Sequence, residues 1–254
     1  MIAPGDRVAV GVSGGKDSLL LLYGMALYRR FCPHPFELIA VTLTMGMQPF
    51  DLSGVRALCE RLEGPYTVRG TQIGKVIFEE RKEKNPCSLC AKMRRGALSD
   101  LCRELGANKV ALGHHRDDAI ETLLLSMFYE GRMHTFHPVT YLSRSNLTQI
   151  RPMVYLSEKH VIHMVKELDL PVVPSPCPAN GYTKREEMKE LLRQGAVVER
   201  AAERGAIRPV EQAAGCLNVC PSKGGNHAIY LALRFPAGRH FAIGGRYRPD
   251  RPLV

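Results

Sequence analysis

Residues 7–12, Arg-Val-Ala-Val-Gly-Val, form a short, nearly continuous apolar run, the pattern of a strand covered on both faces. In the stretch that follows, 18–29, Leu19, Leu22, Met25 and Ala26 recur at spacings of three and four and share one stripe, which predicts a helix. The alternation continues along the chain. Strands are expected at 36–44, 65–69 and 109–113, and helices at 52–63, 87–105 and 116–129. Short buried strands separated by helices imply parallel pairing with right-handed crossovers, so the expected fold is a doubly wound α/β sheet with helices on both faces. Residues 139–151 read as a hairpin around Ser143-Arg144-Ser145-Asn146, followed by helices at 157–168 and 183–194. Between those two helices lies a loop, 171–178, punctuated by prolines.

Hydrophobic periodicity weakens after Val198, and the composition changes with it. Residues 1–194 carry 26 basic and 21 acidic side chains, whereas 195–254 carry 9 and 4, with eight Arg, one Lys and eight Gly. Two segments are therefore expected: a catalytic unit at 1–194 and an atypical basic, Arg/Gly-rich, poorly ordered tail at 195–254. The whole chain of 254 residues is 45% hydrophobic with a formal charge of +10, which excludes a disordered protein and favours a polyanionic partner such as nucleic acid over a merely basic enzyme. The longest apolar run, 19–27, is broken by Tyr23 and Gly24 and is too short to span a bilayer. No membrane association is expected. The first residues, Met1-Ile2-Ala3-Pro4-Gly5-Asp6, lack the pattern of a secretory signal, so a cytoplasmic location and reduced thiols are expected.

The first strand ends in Gly11-Val12-Ser13-Gly14-Gly15-Lys16-Asp17-Ser18 and runs straight into a helix, a geometry that holds phosphate on backbone N–H groups. A Walker A loop is excluded, because Gly11 and Gly15 enclose three residues rather than four and Asp17 follows the lysine; the dinucleotide fingerprint G-x-G-x-x-G is also missing. The run Ser13-Gly14-Gly15-Lys16-Asp17-Ser18 resembles the SGGxDS loop of the ATP pyrophosphatase (PP-loop) superfamily. That resemblance implies an enzyme that cleaves ATP between its α- and β-phosphates, adenylates a carbonyl oxygen and releases pyrophosphate. Ser13, Ser18 and the amides of Gly14 and Gly15 suit the departing pyrophosphate, Lys16 supplies a point charge, and Asp17 suits Mg²⁺.

A second segment, Gly113-His114-His115-Arg116-Asp117-Asp118-Ala119-Ile120-Glu121-Thr122, follows the strand at 109–113. Ligands bind outside the carboxyl ends of parallel strands, so this segment and the glycine loop should meet at one crevice. Asp118, Glu121 and Leu125 share one side of the helix that starts there. Asp117 and Asp118 are candidates to complete a magnesium site or orient the nucleotide, or they simply favour the positive helix terminus. His114 is either a nucleotide-site residue or a buried, hydrogen-bonded histidine.

Cys87-Ser88-Leu89-Cys90 permits zinc, a dithiol or an iron–sulfur cluster. A structural zinc would call on Cys216 and Cys220 in the tail; the main body instead offers one further cysteine, Cys177, stiffened by prolines in Ser175-Pro176-Cys177-Pro178. Together with the glycine loop, Pro86-Cys87-Ser88-Leu89-Cys90-Ala91-Lys92-Met93-Arg94-Arg95-Gly96, Leu112-Gly113-His114-His115-Arg116-Asp117-Asp118, Arg151-Pro152, Ser157-Glu158-Lys159 and Pro176-Cys177-Pro178 resemble the tRNA 2-thiocytidine synthetase family over about residues 3–194. The resemblance implies a Rossmann-like, adenine nucleotide α-hydrolase-like fold and replacement of the 2-oxo oxygen of a cytidine in the tRNA anticodon loop, at tRNA position 32, by sulfur. ATP, Mg²⁺ and a [4Fe-4S] cluster on Cys87, Cys90 and Cys177 are implied, with Arg94 and Asp118 assisting catalysis beside Asp17. Gly113, His114 and Asp117 would join the nucleotide site. A sulfur donor such as a cysteine desulfurase is an expected partner, and a homodimer is an open expectation. The family pattern departs at both ends: members carry a longer N-terminal extension, and their C-terminal helix is unlike 195–254. A 2-thiouridine synthase, a lysine-attaching PP-loop ligase and a zinc-stabilised RNA-binding module are the rival readings.

Overall fold

The computed structural model describes residues 1–46, 50–83, 86–175, 177–178 and 183–194. The tail expected at 195–254, with Cys216 and Cys220, lies outside the described residues, as does the division placed at 194.

The chain runs β1 (Arg7–Gly11), α1 (Lys16–Phe31), β2 (Glu37–Thr44), α2 (Ser53–Arg61), β3 (Tyr66–Gly70), α3 (Ile73–Lys75, continued by a wide π turn at Val76–Glu80), α4 (Pro86–Glu104), β4 (Lys109–Ala111), α5 (Arg116–Glu130), the hairpin β5 (Val139–Leu142) and β6 (Leu147–Ile150), α6 (Glu158–Glu167) and α7 (Lys184–Gln194). The strands form one sheet in the order β3-β2-β1-β4-β6-β5, parallel throughout except for the edge strand β5. The doubly wound α/β architecture expected from the apolar pattern is therefore present. The π turn after β3 has no counterpart in the expectations, and its sequence, Val-Ile-Phe-Glu-Glu, carries no Gly or Pro to mark it.

Because successive strand side chains point to opposite faces, the central strands feed two cores at once. Val8, Val10, Leu38 and Ala40 pack with α1, α2 and α6; Ala9, Ile39, Val41 and Val110 pack with Leu101 and Cys102 of α4. α1 departs from the single expected stripe. Leu19, Leu20, Leu21 and Leu22 are all buried, because the sheet covers one side of the helix and α6 contacts it as well. Leu-rich sequence with little side-chain entropy to lose tolerates such enclosure well.

After β1 the chain builds outward on one side to β2 and β3, then crosses to place β4 on the other side of β1. This reversal opens a crevice at the carboxyl ends of β1 and β4, where the loops diverge.

Candidate active site

A cleft of about 630 Å³ occupies that crevice. Its walls include Ser13, Asp17 and Ser18 after β1, Gly113, His114 and Asp118 after β4, Arg151 after β6, and Arg94 and Arg95 from α4. The two loops expected to meet do so closely. A Cβ on Gly113 would sit 2.8 Å from the backbone oxygen of Asp17 and 3.1 Å from the nitrogen of Ser18, so only glycine lets β4 deliver its loop against the start of α1.

The glycine loop is shaped from within. Ser18, 6% exposed, accepts from the backbone N–H of Ser13 at 3.1 Å and donates to the carbonyl oxygen of Gly15 at 2.9 Å. Gly14 has φ +80°, the left-handed region, and its backbone oxygen accepts from Val173 N–H at 2.9 Å. That bond ties the segment leading to Cys177 onto the glycine loop. Lys16 turns toward carboxylates, its ammonium lying 2.9 Å from Asp17 Oδ1 and 3.0 Å from Glu158 Oε1. Burial works against its charge, but the bonds to Asp17 and Glu158 outweigh that and raise its pKa.

The sequence reading passed over His115, which is 1% exposed and joins the two loops. Its Nδ1 accepts from Asp118 N–H at 3.3 Å while Asp118 Oδ2 accepts from His115 N–H at 2.9 Å, a reciprocal cap on α5. Its Nε2 lies 3.6 Å from Asp17 Oδ1 and its Nδ1 3.9 Å from Asp117 Oδ2, so three candidate carboxylates converge on one imidazole. Asp117 also accepts from the backbone N–H of Glu158 at 2.8 Å, which fixes the start of α6. Asp118 and Glu121 share one helix side as expected, and Arg185 of α7 bridges them, 3.4 Å from Asp118 Oδ1 and 2.9 Å from Glu121 Oε2. Burial pushes the Glu121 carboxyl up to about 7 against the pull of Lys189 and Arg185. His114 lines the cleft with Nδ1 buried and without a hydrogen-bond partner, its ring 4.9 Å from that of Phe136. Burial first, then the charge of Arg151, pulls its pKa down to about 4, so it is neutral at physiological pH.

Arg94 connects this cleft to the cysteines. It lines the cleft from α4, and its charge acts on Cys90 one turn earlier. Burial raises the Cys90 thiol; Arg94 opposes that, while Cys177 and Cys87 add to it, so Cys90 feels both other thiols. Among the described residues no group of three or more His, Cys, Asp and Glu side chains is gathered tightly enough to hold a single metal ion. Three soft thiols suit a polynuclear iron–sulfur cluster, whose ligands sit on separate irons, better than a four-ligand zinc site. Mg²⁺ takes one or two carboxylates and completes its shell with water and substrate phosphates, which Asp17 suits at the mouth of the glycine loop. The other described cysteines lie elsewhere: Cys32 is half-buried at the end of α1, and Cys59 and Cys102 are buried, with thiols pushed up by burial to about 11 and about 12.

The fold and cleft define a nucleotide-dependent enzyme of the doubly wound α/β class. A model of the PP-loop domain family matches residues 3–192. The tRNA-cytidine(32) 2-sulfurtransferase of Pelobacter propionicus is 42% identical over 197 residues, covering 76% of this chain and 73% of that protein. The tRNA-cytidine(32) 2-sulfurtransferase of Geobacter sulfurreducens is 37% identical over 211 residues, covering 82% of each. The chain belongs to the PP-loop family and, within it, to the family of these 2-sulfurtransferases. The solved structure of the U34-tRNA thiolase NcsA from Methanococcus maripaludis with its [4Fe-4S] cluster is similar with a TM-score of 0.67 at 24% identity, covering 83% of this chain and 72% of that one, a likeness of fold.

Proposed function

We propose that this protein is an ATP-dependent tRNA sulfurtransferase that converts the cytidine at tRNA position 32 to 2-thiocytidine, as its relatives' names state for them. The observation that carries the reading is the cleft shared by the glycine loop and Arg94, with Arg94 and Cys177 both acting electrostatically on Cys90. This supports a site in which oxygen is activated in the cleft and sulfur is kept beside it, at the cysteines beyond Arg94.

The C2 oxygen of cytidine is a poor leaving group until it is phosphorylated. In the proposed reaction it attacks the α-phosphorus of ATP, the α–β phosphoanhydride bond breaks, and pyrophosphate departs into the loop formed by Ser13, Gly14, Gly15 and Ser18. A sulfur nucleophile then adds at C2, and AMP leaves with the original oxygen. Lys16 and Arg94 neutralise charge on the phosphates, and preorganised donors of this kind are the largest source of catalysis in such sites. Lys16 exchanges its carboxylate partners for phosphate when the nucleotide arrives. Asp17 would hold Mg²⁺, which offsets charge on the triphosphate. Cys87, Cys90 and Cys177 would hold a [4Fe-4S] cluster, which supplies an open iron able to bind sulfur. Asp118 lies on the cleft wall where it can assist the reacting base, and Asp117, Gly113 and His114 complete the nucleotide side. A cysteine desulfurase is the class of donor that would deliver the sulfur.

Residues 1–194 form the catalytic unit, and 195–254 add basic charge suited to RNA. No helix among the described residues is long and apolar enough to cross a membrane, and a cytoplasmic site of action fits a tRNA substrate. The rival PP-loop chemistries at uridine or with lysine lack the support of the relatives' names. The zinc-module reading leaves an intact glycine loop unexplained.

The test is anaerobic incubation of the iron-loaded protein with ATP, sulfide and unmodified tRNA, followed by nucleoside mass analysis. 2-Thiocytidine that requires ATP is expected. Its absence, or the appearance of 2-thiouridine or a lysine adduct instead, would overturn the assignment.

A further inference from the structure

The reaction above leaves one buried cation on the cleft wall unused. Arg151, at the end of β6, is 8% exposed and lines the cleft. Its Nη1 donates to the backbone oxygen of His137 at 2.5 Å and to Thr140 Oγ1 at 3.3 Å, and the guanidinium lies 4.7 Å over the ring of Phe136. Its Nε is buried without a hydrogen-bond partner. Among the described residues no carboxylate is paired with it; the charge that acts on it belongs to another cation, Arg95, across the cleft on α4. A buried guanidinium is normally paired, because removing it from water is costly and its donors form a fork that fits an oxyanion. Asp17 and Asp118 line the same cleft, but neither is bonded to Arg151, and two arginines on the cleft wall with an unused buried donor suit an anion.

The glycine loop does not explain that anion. β4 lies between β1 and β6, so the backbone that carries Arg151 starts two strand spacings, about 10 Å, from the strand that carries the loop. The RNA substrate does bring an anion to this side, since a base turned into the cleft carries its own phosphodiesters with it. We propose that Arg151 and Arg95 together grip a phosphodiester next to the modified nucleotide, fixing the position from which the base enters the cleft. This rests on the tRNA reading above. Phosphate contacts set register without reading sequence, so these arginines act as positioning residues.

The probe is an anticodon stem-loop RNA with cytidine at the target position, titrated against the full chain over a range of salt concentrations. Arg95→Gln and Arg151→Gln should each weaken RNA binding about tenfold and lower the slope of log K against log salt by about 0.7, with ATP affinity unchanged and, for the exposed Arg95, melting temperature unchanged as well. The double variant should lose less than the sum of the two, since both hold one phosphate. A methylphosphonate at one phosphodiester flanking the cytidine should weaken the wild type, weaken each single variant less, and leave the double variant indifferent. An unchanged salt slope in both variants would overturn the proposal. So would a loss of ATP affinity with RNA binding intact, which would make the anion a nucleotide phosphate. If Arg151→Gln unfolds, Arg95→Gln on the exposed face of α4 decides alone by the same slope. A wild-type protein that does not bind the RNA would instead refute the tRNA reading itself.

Discussion

α1 and α4 both bring chemistry to the cleft, and they are built in opposite ways. α1 buries Leu19 through Leu22, Met25, Ala26 and Tyr28, with the sheet on one side and α6 packed against it as well. α4 is longer, at 19 residues, yet among its described side chains only Leu101 and Cys102, near its C-terminal end, are buried. The half that carries Cys87, Cys90, Arg94 and Arg95 has no such anchor. The glycine loop is thus preorganised by packing that does not depend on ligand. The thiols and arginines occupy a helix end with little burial of its own, the kind of region that opens most readily and that ligands steady. The contrast suits a two-step reaction, in which activation needs a rigid phosphate cradle and sulfur transfer needs a helix able to admit a large RNA.

Four perturbations test that contrast. Cys177→Ala should abolish thiolation and lower the bound iron while ATP binding survives, measured anaerobically by iron assay and nucleotide titration. Full iron content in that variant would remove Cys177 from the ligand set. Leu20→Ala should cost about 3 kcal/mol in urea unfolding, because it opens a cavity in the enclosed α1; a loss under 1 kcal/mol would mean that α1 is not the rigid element described.

Glu158→Gln comes next. Burial would raise the Glu158 carboxyl, but Lys16 and Lys189 hold it at about 2, below its ordinary value of 4.5. Since the folded value is the lower one, the stabilisation is fully present above pH 4.5 and is lost as pH falls toward 2. The variant should be about 2–3 kcal/mol less stable than wild type at neutral pH, with the difference shrinking below pH 4.5. A difference that stays constant from pH 7 to 3 would sink the ion-pair account. The smallest effect belongs to Met93→Ala in the open half of α4, where a change within about 0.5 kcal/mol is expected. A loss comparable to that of Leu20→Ala would show the two helices to be equally anchored.

Much of this was legible along the chain because it depends on neighbours in sequence. Period-2 and period-3.6 patterns located the strands and helices to within a few residues, and the run Ser13 to Ser18 carries its chemistry in six consecutive positions. The hairpin at 139–151 was expected too, but not that β6 would continue the parallel sheet beside β4 and so deliver Arg151 to the cleft. His115 was passed over because a lone imidazole has many uses. Its significance comes from Asp17, nearly a hundred residues earlier, lying 3.6 Å away. Arg185 and Lys189 were not singled out in the helix expected at 183–194, because only the packing of α7 on α5 sets them against Asp118 and Glu121.

By itself the sequence determined the elements, the phosphate loop and the cysteine spacing, since backbone conformation and local hydrogen bonding follow from adjacent residues. Only the tertiary structure decided which charges neutralise one another and which cation is left facing the cleft. Those outcomes depend on distances between residues remote in the chain and on the removal of water around them, and neither quantity exists until the sheet has closed its order around β1 and β4.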